Sequence, residues 1–110
     1  MVTNPRIVDP ITSILGPNVL LWSTNWFVTE SGNSKIVTFH QDANYWGLEP
    51  HDVATTWLAL SDAHTKSGPT NFLPGSHQEE LYAHTNTFAE NYLLSRGQEV
   101  NRYIDESVCR

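Results

Sequence analysis

Residues 35–60 read KIVTFHQDANYWGLEPHDVATTWLAL, and two apolar runs in this stretch flank a polar one. The first run, residues 35–41, and the second, residues 53–60, are rich in the β-branched and aromatic residues that favour strands. Residues 42–52 contain a glycine and a proline and lack periodicity, which predicts a loop. The stretch therefore predicts two strands around a polar connection, with several polar side chains where the first strand ends.

The sequence on either side extends this β pattern. Three further elements are predicted: strands at residues 18–29 and 70–73, and a short helix at residues 11–15 that ends at Gly16-Pro17. A turn at residues 31–34 would join two of the strands as a hairpin. Residues 90–94 are weakly helical. Several short strands at this spacing indicate a mainly β fold with short helices, of sandwich or barrel type.

Composition narrows the class of protein. The 110 residues are 39% hydrophobic and 16% charged, which is typical of one small folded domain. The net charge is −6 and basic residues do not cluster, so we expect no nucleic-acid partner. No apolar run approaches the length of a membrane span, so we expect no membrane insertion. A lone cysteine, Cys109, cannot form an internal disulfide, and a cytoplasmic location is predicted.

The tripeptide His40-Gln41-Asp42 is the strongest candidate for chemistry. Alternate side chains of a strand share a face, so the imidazole of His40 and the carboxylate of Asp42 could point at one place. These are two of the three ligands of the two-histidine-one-carboxylate site of non-heme Fe(II). The spacing alone is equally compatible with a histidine at a strand end and an aspartate that caps a turn or helix.

The sequence around this tripeptide resembles the phytanoyl-CoA dioxygenase family. The resemblance is carried by FHQDANYWGLEP at residues 39–50 and TTWLALSDAHTKSGPTNFLPGSHQ at residues 55–78, in the family's order and at similar spacing. The flanking segments ILGPNVLLWSTNWF at residues 14–27 and YLLSRGQEV at residues 92–100 also resemble members of this family. Several linked motifs are far more specific than a single His-x-Asp match.

The resemblance implies a fold, a cofactor set and roles for individual residues. It implies a partial double-stranded β-helix (a cupin-like jelly roll) that binds Fe(II) and 2-oxoglutarate. His40 and Asp42 would be iron ligands and catalytic residues. Trp57 would contact 2-oxoglutarate, with a core aromatic as the alternative, and Trp46 would line the substrate pocket, with a loop aromatic packed on the core as the alternative.

The same resemblance places parts of the family's site outside these residues. The family's distal iron histidine and its 2-oxoglutarate-binding arginine follow the segment seen here, so residues 1–110 are predicted to be a single incomplete domain. Pro74-Gly75 predicts a type II turn over residues 73–76, and His77, which follows it, could be imagined as a third iron ligand but is expected to be structural. The remaining histidines (His51, His64 and His84) are expected to be solvated, and no arginine role is assigned to Arg96, Arg102 or Arg110.

Two functions of different class follow. The first is a fragment of an Fe(II)- and 2-oxoglutarate-dependent hydroxylase that uses O₂ to act on a small organic or acyl substrate. The second is a non-catalytic, cupin-like binding or structural module, or the product of a decayed gene. Neither the substrate nor the oligomeric state is indicated by the sequence.

Overall fold

The computed structural model describes residues 2–94 and 96–110. Its regular structure consists of short elements, namely α1 (Pro5–Leu15), α2 (Asp42–Trp46), β1 (His84–Asn86) and β2 (Gln98–Val100). Three single 3₁₀ turns are found at Thr65–Ser67, Ser76–Gln78 and Glu106–Val108. No helix in the described ranges combines the length and the apolar character that crossing a bilayer requires.

Helix α1 confirms a short N-terminal helix but begins earlier than predicted. Asn4 caps it, because its side chain accepts a hydrogen bond from the Arg6 N–H at 3.0 Å, and Pro5 occupies the first turn, where proline is well tolerated. Pro10, directly before the predicted helix, lies inside the observed one, where it removes one backbone donor.

The sheet consists of two antiparallel strands. His84 pairs with Val100 and Asn86 with Gln98. The segment before His40 is bonded to the same sheet, because the Val100 N–H donates to the Phe39 carbonyl at 2.9 Å and Thr38 Oγ1 donates to the Gln98 carbonyl at 2.7 Å. β2 therefore links β1 on one side to the chain that enters the candidate site on the other.

Most of the predicted strands are not formed in the described chain. Residues 18–29 and 54–60 have no regular structure and, within the described ranges, no backbone hydrogen bonds. Residues 35–41 form only an isolated parallel bridge from Ile36 to Tyr92, and this bridge stands where a helical turn was predicted. A strand forms only when its backbone groups find partners along its length. Residues 18–29 and 54–60 find none among the described residues, and residues 35–41 bond at isolated points to Asn91, Leu93 and Val100.

Two further differences concern the connections. The predicted loop at residues 42–52 begins with helix α2. The short strand predicted at residues 70–73 is reduced to a pair of backbone hydrogen bonds between Phe72 and Arg110, at 2.8 and 2.9 Å. The jelly roll that was expected is not seen among the described residues, which show a two-stranded antiparallel sheet and short helices.

The molecule is open and buries little apolar surface. Its radius of gyration is 15.0 Å, whereas a compact domain of this length has about 13 Å. Its accessible surface is 8964 Å², against about 6100 Å² for a folded monomer of this mass. Among the described residues, Val100 is the one buried apolar side chain, and Trp22, Trp26 and Trp57 are exposed. Local hydrogen bonds, and not a packed core, therefore position the candidate site.

Candidate metal centre

His40 and Asp42 lie side by side, as the sequence predicted. His40 Nε2 is 3.3 Å from Asp42 Oδ1. The sequence predicted this proximity from alternation along one strand. That reason does not hold, because only His40 belongs to the segment bonded to β2. Gln41 is the N-cap of α2 with extended backbone, and Asp42 is the first residue of that helix. The turn from extended chain into helix therefore brings the two side chains together.

The second polar atom of each side chain is already held. His40 Nδ1 lies 2.7 Å from the Thr38 carbonyl and must carry a proton to donate to it, which leaves Nε2 as the free nitrogen. Thr55 Oγ1 donates to Asp42 Oδ2 at 2.6 Å, which leaves Oδ1 facing the imidazole. Hydrogen bonds of this kind orient metal ligands and fix the histidine tautomer.

The pair is also coupled electrostatically. The hydrogen-bonding contact with the Asp42 carboxylate raises the pKa of His40 above its ordinary value, against the opposing effect of burial. The same contact lowers the pKa of Asp42, and the Thr55 hydroxyl adds to this. Without a metal, the arrangement therefore favours a charged imidazolium beside a carboxylate.

Gln41 has a structural role. Its side-chain amide donates to the Glu80 carbonyl at 3.1 Å and accepts from the Tyr82 N–H at 2.9 Å. The backbone N–H of Gln41 donates to His84 Nε2 at 2.9 Å. The residue between the two candidate ligands is thus tied to residues 80–84 by three hydrogen bonds.

Trp46 and Trp57 lie on the same broad concavity as His40 and Asp42, which most of the described chain lines. Trp46 is the last residue of α2 and is half-buried. The Trp57 side chain is 47% exposed, so it is not a core aromatic in this structure. The alternative role weighed for Trp57 therefore has no support here, and both binding roles stay predictions.

Three of the remaining histidines, His51, His64 and His77, form no metal-binding cluster with this pair among the described residues. His77 is exposed and follows a type II turn at Pro74-Gly75, in which Gly75 has φ 84° and ψ −14°, as predicted. His51 is exposed beside Glu49, and His64 caps a 3₁₀ turn.

His84 was expected to be solvated, and this prediction is wrong. It is half-buried in β1, and both of its ring nitrogens have backbone partners.

Two of the arginines, to which no role in binding 2-oxoglutarate was assigned, make contacts with other side chains. Arg102 bonds to the Glu79 carboxylate and to the Tyr82 hydroxyl, over whose ring it also stacks. Arg96 lies 4.7 Å from the centre of the Tyr45 ring. Both guanidinium groups are thus engaged by other side chains, although Arg102 lines the same small pocket as His40.

The donors present fit one edge of an Fe(II) site. Adjacent ligands about 2.1 Å from an octahedral ion lie about 3 Å apart, close to the observed 3.3 Å. Imidazole nitrogen and carboxylate oxygen are the ligand types of the facial triad. Within residues 2–94 and 96–110, no group of three histidine, cysteine or acidic side chains could hold a metal ion. The described chain thus supplies two donors of such a site.

Sequence reasoning missed Thr38, Thr55 and His84. Thr55 precedes Trp57 by two residues, and alternation in the expected strand would have pointed to it. The other two act through main-chain groups that a spacing argument does not register.

Comparison with known proteins identifies the family of the chain. The sequence matches the family model described as Phytanoyl-CoA dioxygenase (PhyH) over residues 1–107. It is 34% identical, over 90 residues, to a probable alpha-ketoglutarate-dependent hypophosphite dioxygenase of Stutzerimonas stutzeri, and the match covers 78% of this chain and 30% of that protein. The chain therefore spans under a third of the length of this relative. No solved structure matches significantly.

Proposed function

The chain belongs to the phytanoyl-CoA dioxygenase family, and we propose that it forms part of an Fe(II)- and 2-oxoglutarate-dependent hydroxylase. The observation that carries the proposal is the His40–Asp42 pair, with its two facing donor atoms 3.3 Å apart and its other polar atoms held by Thr38 and Thr55. Family membership and the activity named for the relative support the cosubstrate, and the ligand types support iron.

In this proposal the residues of the chain bind and orient the metal. His40 Nε2 and Asp42 Oδ1 would hold Fe(II), and the Asp42 carboxylate would offset part of its charge. When bound, Fe(II) supplies the activation of O₂ and 2-oxoglutarate that hydroxylation requires. Thr38 and Thr55 would keep both ligands aimed. Trp57 would contact 2-oxoglutarate and Trp46 the substrate.

The rest of the site would come from a longer protein. Two donors hold Fe(II) weakly, so the proposal needs a third ligand and a cationic partner for 2-oxoglutarate outside the described residues. The proposed jelly roll would be completed in the same way, and would give the apolar segments 18–29 and 53–60 partner strands. The relative, more than three times the matched length, leaves room for these parts.

The substrate class is inferred from the relative. We propose a small molecule, organic or acyl, since the relative is named for an ion as small as hypophosphite. We also propose a cytoplasmic protein, which agrees with a single cysteine in 110 residues.

Titration with Co²⁺, which takes the same ligands and is visible by absorption, tests the metal site. His40→Ala and Asp42→Ala should each abolish binding by the 110-residue chain. His77→Ala is the matched control, because this histidine is exposed and separate from the pair, and it should bind as the unmodified chain does. Equal binding by all four proteins would overturn the proposal.

A non-catalytic module is the second candidate, favoured by the lack of a third ligand among the described residues. The gene sequence beyond Arg110 separates the two candidates. A downstream histidine, followed about ten residues later by an arginine, would match the family pattern that the resemblance implies. A stop codon directly after Arg110 would favour the module.

A further inference from the structure

We propose that His84 is a positioning residue for the candidate metal centre, held as the neutral Nδ1–H tautomer by two main-chain groups. This inference rests on the proposed function for its consequence in metal binding. Its structural content, that His84 sets the position of Gln41 and hence of the residues on either side of it, can be tested without a metal.

The tautomer follows from the partners of the ring. Nε2 lies 2.9 Å from the Gln41 nitrogen, and a backbone N–H can only donate, so Nε2 must accept. Nδ1 lies 2.8 Å from the Tyr82 carbonyl oxygen, and a carbonyl can only accept, so Nδ1 must carry the proton. Both nitrogens of His84 are therefore committed, and in this arrangement neither is available to a metal ion.

His40 and His84 use the same local device for different purposes. In each, Nδ1 bonds to the carbonyl two residues earlier, at 2.7 Å for His40 and 2.8 Å for His84. In both rings this leaves Nε2 for the second contact: in His84 it accepts from an amide, and in His40 it faces a carboxylate, to which it donates when the ring is charged. His40 directs its Nε2 towards Asp42 Oδ1, and His84 directs its Nε2 to the amide between the two candidate ligands.

The hydrogen bond from Gln41 N–H to His84 Nε2 can affect the candidate site because of where Gln41 lies. Gln41 is the N-cap of α2, where the chain changes from extended to helical. Its N–H precedes the helix, and its side chain makes no capping bond to α2, since it bonds to Glu80 and Tyr82 instead. The direction in which α2 leaves the turn, and with it the carboxylate of Asp42, therefore depends on the hold that residues 80–84 have on Gln41.

The sheet fixes His84 in turn. His84 pairs with Val100 in the β1–β2 ladder, and the Val100 N–H donates to Phe39, next to His40. His84 and His40 are thus connected through β2 as well as through Gln41. These contacts form a closed circuit through His84, Val100 and Gln41. A shift of His84 therefore displaces the turn at Gln41 as well as its own ring.

Two amide substitutions of similar polarity distinguish the role of Nε2 from that of Nδ1. His84→Gln places an amide oxygen near the position of Nε2 and keeps an acceptor for the Gln41 N–H. His84→Asn places an amide NH₂ near the position of Nδ1, keeps a donor for Tyr82 and loses the acceptor. Positioning through Nε2 predicts that the glutamine variant resembles the unmodified chain and that the asparagine variant does not.

The first readout is metal-free. Amide hydrogen exchange at Gln41 should accelerate at least tenfold in His84→Asn and stay within threefold of the unmodified chain in His84→Gln, with similar circular dichroism for all three proteins. Unchanged exchange in His84→Asn would overturn the inference. Loss of protection in both variants would overturn it as well, because the acceptor would then not be the operative feature.

The second readout is Co²⁺ affinity, which should fall about 10-fold in His84→Asn and recover in His84→Gln, the lower end of what outer-shell changes cost. Failure of the two proposals can be told apart. If the unmodified chain binds no Co²⁺ through His40 and Asp42, the proposed function fails, and the exchange measurement still decides the role of His84. If it binds Co²⁺ and His84→Asn binds equally well, the positioning role alone fails.

Discussion

At the scale of single residues, the candidate site is defined by hydrogen bonds to atoms that would not touch a metal. His40 and Asp42 could be singled out from the sequence because imidazole and carboxylate are iron ligands and because the linked motifs around them resemble one family. Thr38 acts through its own carbonyl, and His84 acts through its ring on the main-chain N–H of Gln41. A contact made by the main chain leaves no residue-type signature, which is why sequence reasoning passed over both.

Thr55 offers a direct test of this arrangement. Thr55→Val keeps the shape of the side chain and removes the hydroxyl that donates to Asp42 Oδ2 at 2.6 Å. The carboxylate then loses a stabilising donor, so the pKa of Asp42 should rise, and Co²⁺ affinity should fall about 10-fold. Thr55→Ser keeps the donor and should restore most of the affinity. Equal loss in both variants would mean that the methyl group, and not the hydroxyl, is what Asp42 needs.

The His40–Asp42 contact predicts a pH dependence of the metal-free chain. The pKa of His40 is raised, chiefly by the Asp42 carboxylate, so its share of the stability is fully present below the ordinary histidine value of 6.5. That share is lost as the pH rises through the higher value of the folded chain. Asp42 has a lowered pKa, so its share is present above 3.8 and lost as the pH falls through its folded value. The contribution of this pair to stability should therefore be greatest between pH 3.8 and pH 6.5.

An NMR titration of the His40 ring checks the sign. In Asp42→Asn the midpoint should move to lower pH, because the carboxylate that favours the imidazolium is gone while burial still disfavours it. A His40 midpoint that is equal in both proteins would show that the 3.3 Å contact does not persist in solution.

At the scale of elements, the sequence predicted some features well and others poorly, for a physical reason. The turn at Pro74-Gly75 and the helix ending at Gly16 were correct because proline and glycine act through local backbone geometry. The strands at residues 18–29 and 53–60 were predicted from composition, and composition does not create a partner strand. The short pair β1–β2 was missed because its polar residues carry no β pattern.

Gly97, which precedes β2, should be highly sensitive to substitution by alanine. It has φ 56°, and a Cβ atom added there would come within 2.6 Å of Thr87 Oγ1 and 2.7 Å of Tyr92 Cγ. Gly97→Ala should therefore combine backbone strain of about 1–3 kcal/mol with a clash that pushes Tyr92 away. Melting of the chain, followed by circular dichroism, should shift to lower temperature or lose its cooperative transition.

Gly32→Ala is the matched control for this clash. Gly32 also has a positive φ of 79°, but a Cβ atom there meets nothing within 4 Å. It should carry the strain alone and melt closer to the unmodified chain. If Gly32→Ala proved as damaging as Gly97→Ala, packing around Thr87 and Tyr92 would not be what holds the unit together.

At the scale of the whole molecule, an unusually open chain carries a locally ordered site. The excess accessible surface and the exposed apolar side chains belong largely to the segments that were predicted as strands, including Leu20, Trp26 and Leu60. Burial of apolar area is the main driving force for folding, at about 25 cal/mol per Å². The apolar segments that the sequence predicts as strands are present in the described chain without partner strands to cover them. Their β pattern therefore does not lead to a β structure.

The last prediction concerns the behaviour of the 110-residue chain by itself. Trp22 and Trp26 are 60% and 67% exposed, so tryptophan emission should be close to that of a solvated indole, and the chain should bind the dye ANS and associate at micromolar concentration. With two metal donors among its described residues, it should bind Co²⁺ weakly and release no succinate from 2-oxoglutarate.

A longer form of the protein, with the sequence encoded beyond Arg110, is the informative comparison. Its tryptophan emission should shift to shorter wavelength as the apolar segments gain partners, and succinate release should appear and depend on Asp42. Asp42→Ala should cost more of that activity than Trp57→Ala, because a lost ligand removes the reactive centre, whereas a lost aromatic contact weakens orientation. Substrate-dependent succinate release by the 110-residue chain would instead mean that it supplies its own third ligand, and His77 would be the first residue to substitute.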